Sequence, residues 1–377
     1  VTWWRIGLRE LIRLIKNYPK LIVTMFILPF LYLNLYGILF EKHSVDSIPL
    51  IVYDESQTQM SRKLVQAFED SERFTVVAYV DSQEQIEEYL QRKEADTALL
   101  IPANFARDIN TGMSTSVLME SNGTNLLITN MVTTVSQEII DDFSKERAVS
   151  LLNTAGFLPG QADGKVSPVE LQMRMLYNPL LSYQSYFVFG LMMISLHTTL
   201  LICSAGSMLM EYKMGTYKNT GSLHVLTGKL LPFWVAGLCA YSVLLSLAVA
   251  IFDLPFRGNA LEVLVLGAAF VFAITSLGSF LISFFQSMLS FYQLVISCTV
   301  IIFTMSGSTW PLTSMPVGIQ CMALIFPFTF LTNNIRNLML AGHTAHLLRD
   351  VMGLVSYGVV TFSLALYRFR KIRLRGT

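Results

Sequence analysis

The stretch YQSYFVFGLMMISLHTTLLICSAGSMLM, Tyr183–Met210, contains no Asp, Glu, Lys or Arg. As a helix it is long enough to cross a hydrocarbon core of about 30 Å, which takes about 20 residues. Five further stretches share this freedom from charge: Leu21–Phe40, Leu230–Phe252, Val263–Phe285, Met288–Thr309 and Val351–Tyr367, the last being the shortest. Lipid offers backbone groups no hydrogen-bond partner, so these runs are expected to be helices and not open strands. A long polar segment, residues 41–182, separates the first run from the second. The expected fold is an α-helical polytopic membrane protein with six transmembrane helices. It comprises an N-terminal interfacial helix (1–20), the first span (21–40), an inserted extracytoplasmic α/β domain with a long helix (41–182), and a five-helix transmembrane region (183–377). That last region holds an outer re-entrant segment at about 311–330 and ends in a basic tail.

Composition agrees, with 53% apolar and 14% charged residues and a mean hydropathy of +0.51. The net charge of +1 conceals an asymmetry. Basic residues gather before the first span (Arg5, Arg9, Arg13, Lys16, Lys20), after the second (Lys213, Lys218, Lys229) and after the last (Arg368, Arg370, Lys371, Arg373, Arg375). An even number of spans puts all three clusters on one side, which the positive-inside rule makes cytoplasmic. The expected location is therefore a bacterial plasma (inner) membrane, multi-pass, with both termini cytoplasmic and the insert outside. Cys203, Cys239, Cys298 and Cys321 lie in apolar surroundings and none is in the insert, so they read as packing residues and not as a disulfide framework. The first apolar run follows a long basic segment and has span length, which suggests a retained anchor and not a cleaved signal. The chain opens with Val1 and not Met, which we take as missing upstream residues or an unusual start codon.

Before the first span, Arg5, Arg9, Arg13, Lys16 and Lys20 recur at helical intervals, with Trp4, Leu8, Leu11, Ile12 and Ile15 on the opposite face. Such a helix suits the membrane interface, its aromatic face in the headgroup boundary and its cations on anionic lipid. Pro19 is expected to turn the chain into the span and Pro29 to kink it. In the insert, Ile48–Tyr53, Phe74–Val80, Thr97–Ile101 and Thr115–Met119 read as strands, the last following Gly112. Met60–Glu69 and Gln83–Lys93 read as helices, the second behind Asp81 and Ser82 with Glu84 and Gln85 at capping-box spacing. Strands alternating with helices favour βαβ units. A long helix, Asn125–Leu152, is expected to stop before Gly156 and Pro159. The carboxylates of the insert are spread along helix faces and form no catalytic constellation.

Two segments carry the functional reading. The connection after the second run is EYKMGTYKNTGSLHVLTGKLLP, Glu211–Pro232, and the one after the fifth is SGSTWPLTSMPVGIQCMALIFPFTF, Ser306–Phe330. Their features are Glu211 followed by Gly215-Thr216, the pair Gly228-Lys229 with Pro232 opening the third span, and then Gly307, Pro311, Met315-Pro316 and Phe326-Pro327. The insert adds IVYDES, the strand ending Ile101-Pro102 with Phe105, and SNGTN at Ser121–Asn125. In these features the chain resembles the type-2 permease family of ABC transporters over almost its whole length. The resemblance implies a dimeric exporter core, either a homodimer or a pair with a homologous permease, each subunit resting on a separate cytoplasmic ABC ATPase that binds the ATP and Mg. It implies that Arg5, Arg9 and Arg13 with Glu211, Gly215, Thr216, Gly228 and Lys229 receive the ATPase's motion. Gly307, Pro311, Pro316 and Pro327 would shape the outer re-entrant motif. One departure stands out: only Tyr217–Thr227 lie between the Gly-Thr and Gly-Lys pairs, where family members usually carry a longer stretch.

The chain itself is read as neither an enzyme nor a cofactor-holding protein. A phosphate loop needs GxxxxGK[ST], but Gly221 stands too far before Gly228-Lys229 and Leu230 replaces the hydroxyl residue. His343, His346 and Asp350 have one-face helical spacing, an ordinary pattern that seldom marks a metal site. His197 is the ionisable side chain deepest in a span; with Thr198 it forms a candidate polar bundle site, expected to hydrogen-bond across helices. Two other functions compete with the permease reading. A secondary transporter would want charged groups in the spans to couple ions. A receptor or scaffold, its outer domain binding a ligand or an envelope partner such as a periplasmic adaptor, would need a cytoplasmic output domain. The expected cargo of the exporter is amphipathic or lipidic; nucleic acid is not an expected partner.

The topology is testable with the single substitutions Gln83→Cys and Lys218→Cys in a background free of the four native cysteines. A membrane-impermeant maleimide is expected to label them from opposite sides, and labelling of both from one side would refute the orientation.

Overall fold

The computed structural model describes residues 2–40, 47–111, 113–121, 126–154, 177, 182–217 and 219–375. The expectations placed on Gly112, on Asn122–Asn125 of the SNGTN motif, and on Gly156, Pro159 and Lys218 lie outside the described residues. Two compact units result, one formed by residues 1–43 and 175–377 and the other by residues 44–174.

The first unit opens with α1 (Trp3–Asn17), broken at Tyr18, where Pro19 starts α2 (Pro19–Leu39). Proline suits this first helical position because its missing N–H would be unsatisfied there anyway. After the insert come α7 (Tyr183–Met214), α8 (Ser222–Phe252), α9 (Ala260–Leu281) prolonged by a 3₁₀ turn to Phe284, and α10 (Met288–Met305). Then follow α11 (Val317–Ala323), α12 (Pro327–Ala341) and α13 (Leu347–Arg375). Among the described residues six helices are long and apolar enough to cross a membrane, and α11 with α12 forms a pair bent by 92°. The bend falls within residues 311–330, where the sequence leads us to expect a re-entrant segment. Pro316 stands before α11 and Pro327 begins α12, so each proline marks a helix start.

α7 is the central post of the bundle, buried along most of its length. Four of its hydroxyls are satisfied locally: Ser195, Thr198, Thr199 and Ser204 each donate to a carbonyl one turn back. This is the economical solution where water is excluded. α13 packs closely on α9: a Cβ at Gly358 would sit 2.4 Å from the Phe272 ring, whereas one at Gly353 would meet only Phe330 at 3.7 Å.

In the second unit, β1 (Ile48–Asp54), α3 (Gln59–Glu69), β2 (Phe74–Tyr79), α4 (Gln83–Gln91) and β3 (Thr97–Ile101) form two βαβ steps. α5 (Phe105–Asn110), β4 (Leu118–Ser121) and α6 (Leu126–Thr154) complete it. The strand order is β2-β1-β3-β4, with β1 parallel to β2 and β3, and β4 antiparallel to β3. Leu50 and Val52 face Leu64, Phe68 and Val132 on one side, while Ile51 faces Ile86 and Ala98 on the other. Both sheet faces are thus covered, as a parallel sheet requires. Thr58 caps α3 in a capping box with Ser61, and Ser82 accepts from the Gln85 N–H at the start of α4.

The structure corrects four expectations. α8 begins at Ser222, so Lys229 belongs to a helix and Pro232 lies inside it, not at its opening. The true break between α7 and α8 is only Gly215–Gly221, which accounts for the short spacing of the two glycine motifs. The fourth strand starts three residues later than expected, at Leu118, and the short helix α5 precedes it where the sequence pattern signals none. His343 and His346 precede α13 and do not share a helix face; His343 Nδ1 lies 3.2 Å from the Ala341 carbonyl, and Asp350 accepts from Asn334 at 2.7 Å. Among the described residues no three metal-ligating side chains converge.

Gly358→Leu is expected to destabilise the bundle by about 1–3 kcal/mol through overpacking. Gly353→Leu, where a Cβ meets only the Phe330 ring at ordinary contact distance, should leave the detergent unfolding temperature near that of the parent. Equal temperatures for both variants would contradict the tight α9–α13 seam.

Candidate coupling site

The crossing of α1 on α8 is glycine on glycine. A Cβ at Gly228 would come within 2.7 Å of the Trp3 carbonyl oxygen and of the Ile6 Cβ, and one at Gly7 would meet Leu231 at 2.7 Å. Pro232 has no N–H to offer the carbonyl four residues back, so the Gly228 oxygen is freed on the side where α1 lies; it would be 3.4 Å from a Cβ on Gly7. This close approach lets the side chain next to Gly228 reach across the crossing.

That side chain is Lys229, which is 0% exposed. Its Nζ donates to Glu10 Oε1 on α1 at 3.0 Å, stands 3.5 Å from Glu211 Oε2 on α7, and donates to the Ser207 carbonyl at 3.5 Å. Ser207 Oγ donates to the same Glu10 oxygen at 2.7 Å, while Arg13 Nη1 lies 3.8 Å from Glu10 Oε2. Two carboxylates and two cations thus balance in a space where Glu10 and Glu211 are 1% and 3% exposed. A buried ammonium is tolerable only with such partners, because the desolvation cost of an isolated ion is several kcal/mol.

Glu211 also governs the turn that follows it. α7 ends where Gly215 takes φ +57°, the left-handed conformation that a residue without Cβ enters freely. The chain then doubles back so that Tyr217 N–H donates to Glu211 Oε1 at 3.0 Å. Burial, and after it the nearby Glu10 and Glu211 carboxylates, push the Tyr217 hydroxyl above its ordinary value. From α13, the Arg373 guanidinium donates to the carbonyls of Tyr217 (3.0 Å) and Thr220 (2.8 Å) and to Ser222 Oγ (3.2 Å). Arg13 reaches Met214 Sδ at 3.2 Å. The turn is held from three helices.

Of the residues expected to act here, Glu211, Gly215, Thr216, Gly228, Lys229 and Arg13 come together; Arg5 and Arg9 do not. They are exposed, with the Arg5 guanidinium 5.3 Å over the Trp4 ring. α1 has three sectors and not two. A basic one runs through Arg5 and Arg9, an exposed apolar one holds Trp4, Leu8 and Ile15, and a packed one holds Ile6, Glu10 and Leu14. The outer motif lies elsewhere: Gly307 (φ +87°) accepts from Arg336 at 3.4 Å, Pro311 stands before a 3₁₀ turn, and Arg336 rests 4.4 Å over Tyr186. His197 is buried beside Phe328 and Phe270, ring centroids 5.6 and 6.3 Å away, and its Nδ1 has no hydrogen-bond partner. The expected bond across helices is made instead by Thr198, 3.2 Å from Thr299 Oγ1.

A family model described as ABC-2 family transporter protein matches residues 19–367. The chain belongs to that family. It is similar to the inner membrane transport permease YhhJ of Escherichia coli (strain K12), with 24% identity over 98% of this chain and 96% of the relative. It also resembles the probable multidrug ABC transporter permease YbhR of the same organism, at 24% identity over 77% of each chain. The protein is a membrane permease of an ABC transporter, and the buried network lies at the end of this ABC-2 permease where α1, the α7–α8 turn and the last turn of α13 meet.

Removing one partner from such a network costs about 3–5 kcal/mol. Lys229→Met is therefore expected to lower thermal stability sharply, since it leaves Glu10 and Glu211 facing each other. Adding Glu10→Gln and Glu211→Gln to it should restore part of the loss. Strict additivity of the three substitutions in detergent melts would show that the charges do not interact.

Proposed function

We propose that this permease is the membrane subunit of an ATP-driven exporter in the bacterial inner membrane. Both termini and the α7–α8 turn face the cytoplasm. Two copies, or one copy and a homologous permease, rest on separate ATPase subunits that bind ATP and Mg. The observation that carries this reading is the buried Lys229–Glu10–Glu211 network. It makes α1, the Gly215–Gly221 turn and the head of α8 one rigid plate, the kind of surface through which a partner can move the spans. The three basic clusters around that plate support its cytoplasmic side. An amphipathic or lipidic cargo accords with uncharged spans and with the multidrug naming of one relative.

Glu211→Ala leaves Lys229 its 3.0 Å partner Glu10, so the plate should still assemble. What it loses is the anchor of the turn at Tyr217 N–H. In the permease co-assembled with its cognate ATPase, Glu211→Ala and Gly215→Val are expected to raise ATP consumed per cargo molecule about fivefold or more, the low end of a typical coupling energy. Glu69→Ala, an exposed position on α3, serves as the control. An unchanged ratio in both turn variants would overturn the coupling role, and ATP turnover by the permease alone would overturn the division of labour.

A further inference from the structure

Between α6 and the sheet of the inserted unit lies an open cleft of about 800 Å³. Protein interiors leave few voids larger than a water molecule, whereas small-molecule sites span roughly 300–1,000 Å³. Its floor is apolar, made by Leu64, Phe68 and Leu99, all 0% exposed, and Val132 at 1%. Among the polar residues of α6 that line it, two carry buried atoms without a partner. Ser136 is 7% exposed and its Oγ has no hydrogen-bond partner. Eleven residues further along, three helical turns away on the same face, the Arg147 Nε is buried without a partner as well.

Buried polar atoms are nearly always satisfied, so two orphans in one cleft need an explanation. Arg147 is the sole charged side chain lining the cleft among the described residues, and its one polar contact is a long 3.5 Å bond from Nη2 to Asn110 Oδ1. A guanidinium takes a carboxylate through two parallel hydrogen bonds, and Arg147, whose Nε has no partner, is the cleft-lining side chain that can supply them. Ser136 supplies a lone hydroxyl deeper along the apolar body, able to bond one polar atom there.

We infer that this cleft binds an amphipathic carboxylate, its acid group on Arg147 and its apolar body over Phe68, Leu99 and Val132. The inference stands on the inserted unit alone and does not rest on the transport reading. It can be tested on the full chain in nanodiscs, with 11-(dansylamino)undecanoic acid and its methyl ester as probes and empty nanodiscs as baseline. The parent should bind the acid saturably. Arg147→Met should weaken the acid at least tenfold, about 1.4 kcal/mol, and leave the ester unchanged. Ser136→Trp, which fills the cleft, should remove both. Should that variant fail to fold, photolabelling of the parent by a diazirine-bearing undecanoic acid should fall within residues 126–154. No saturable binding above empty nanodiscs, equal acid affinity in Arg147→Met and parent, ester loss in Arg147→Met, or labels confined to the membrane-spanning helices would each overturn the assignment.

Discussion

A primary ammonium with no access to water must find its counter-charges inside the protein, and in this chain that requirement organises one whole end of the bundle. Lys229 is met by Glu10 from α1 and by Glu211 from α7, so neither helix can leave without stranding a charge. The contact demands that α1 lie against α8 at backbone distance, which explains glycine at both Gly7 and Gly228. It demands that Glu211 point inward, which lets its second oxygen hold the turn behind Gly215. Buried ion pairs are weak contributors to net stability but strong determinants of which arrangement is adopted, and here the arrangement is the register of three helices.

Much of the fold is legible in the sequence because charge is scarce. Runs without Asp, Glu, Lys or Arg locate all six long apolar helices, and alternating patterns locate the βαβ portion of the insert, Thr97–Ile101 to the residue. The same reasoning misplaces Lys229. It treats a charge as the edge of a span, when this one is a helical residue whose partners are far away in sequence. Glu10 escapes notice for a related reason: one acid within a basic segment looks like a solvated residue until Ile6, Glu10 and Leu14 are seen to share a packed face. Arg373 counts toward topology, yet its guanidinium also closes the α7–α8 turn. Charge patterns report which side of a membrane a segment prefers, while pair contacts between distant residues leave no periodic trace.

The inserted unit follows different rules because it is built around a sheet. Its two apolar clusters, one on each face of β1, make it a compact body with its own core. The cleft and its unsatisfied polar groups occur on the α6 side of the sheet. Several hydroxyls buried in helices bond to their own backbone, as along α7. Ser136 on α6 does not, and it shares the lining of one cleft with a second unpartnered polar atom, Arg147 Nε.

The glycine-on-glycine crossing has a mechanical consequence. Helices that interlock through large side chains resist rotation, because each ridge must climb out of its groove. At Gly228 and Gly7 the missing Cβ leaves sockets that Ile6 and Leu231 fill, so each glycine receives a side chain of the facing helix. The crossing is keyed twice over, and the Glu10–Lys229 bond pins it, so α1 and the head of α8 form one piece. A push on the exposed flank of α1 would then pass to α8 without slip at the crossing, and the length of α8 would turn a small tilt at one end into a larger displacement at the other.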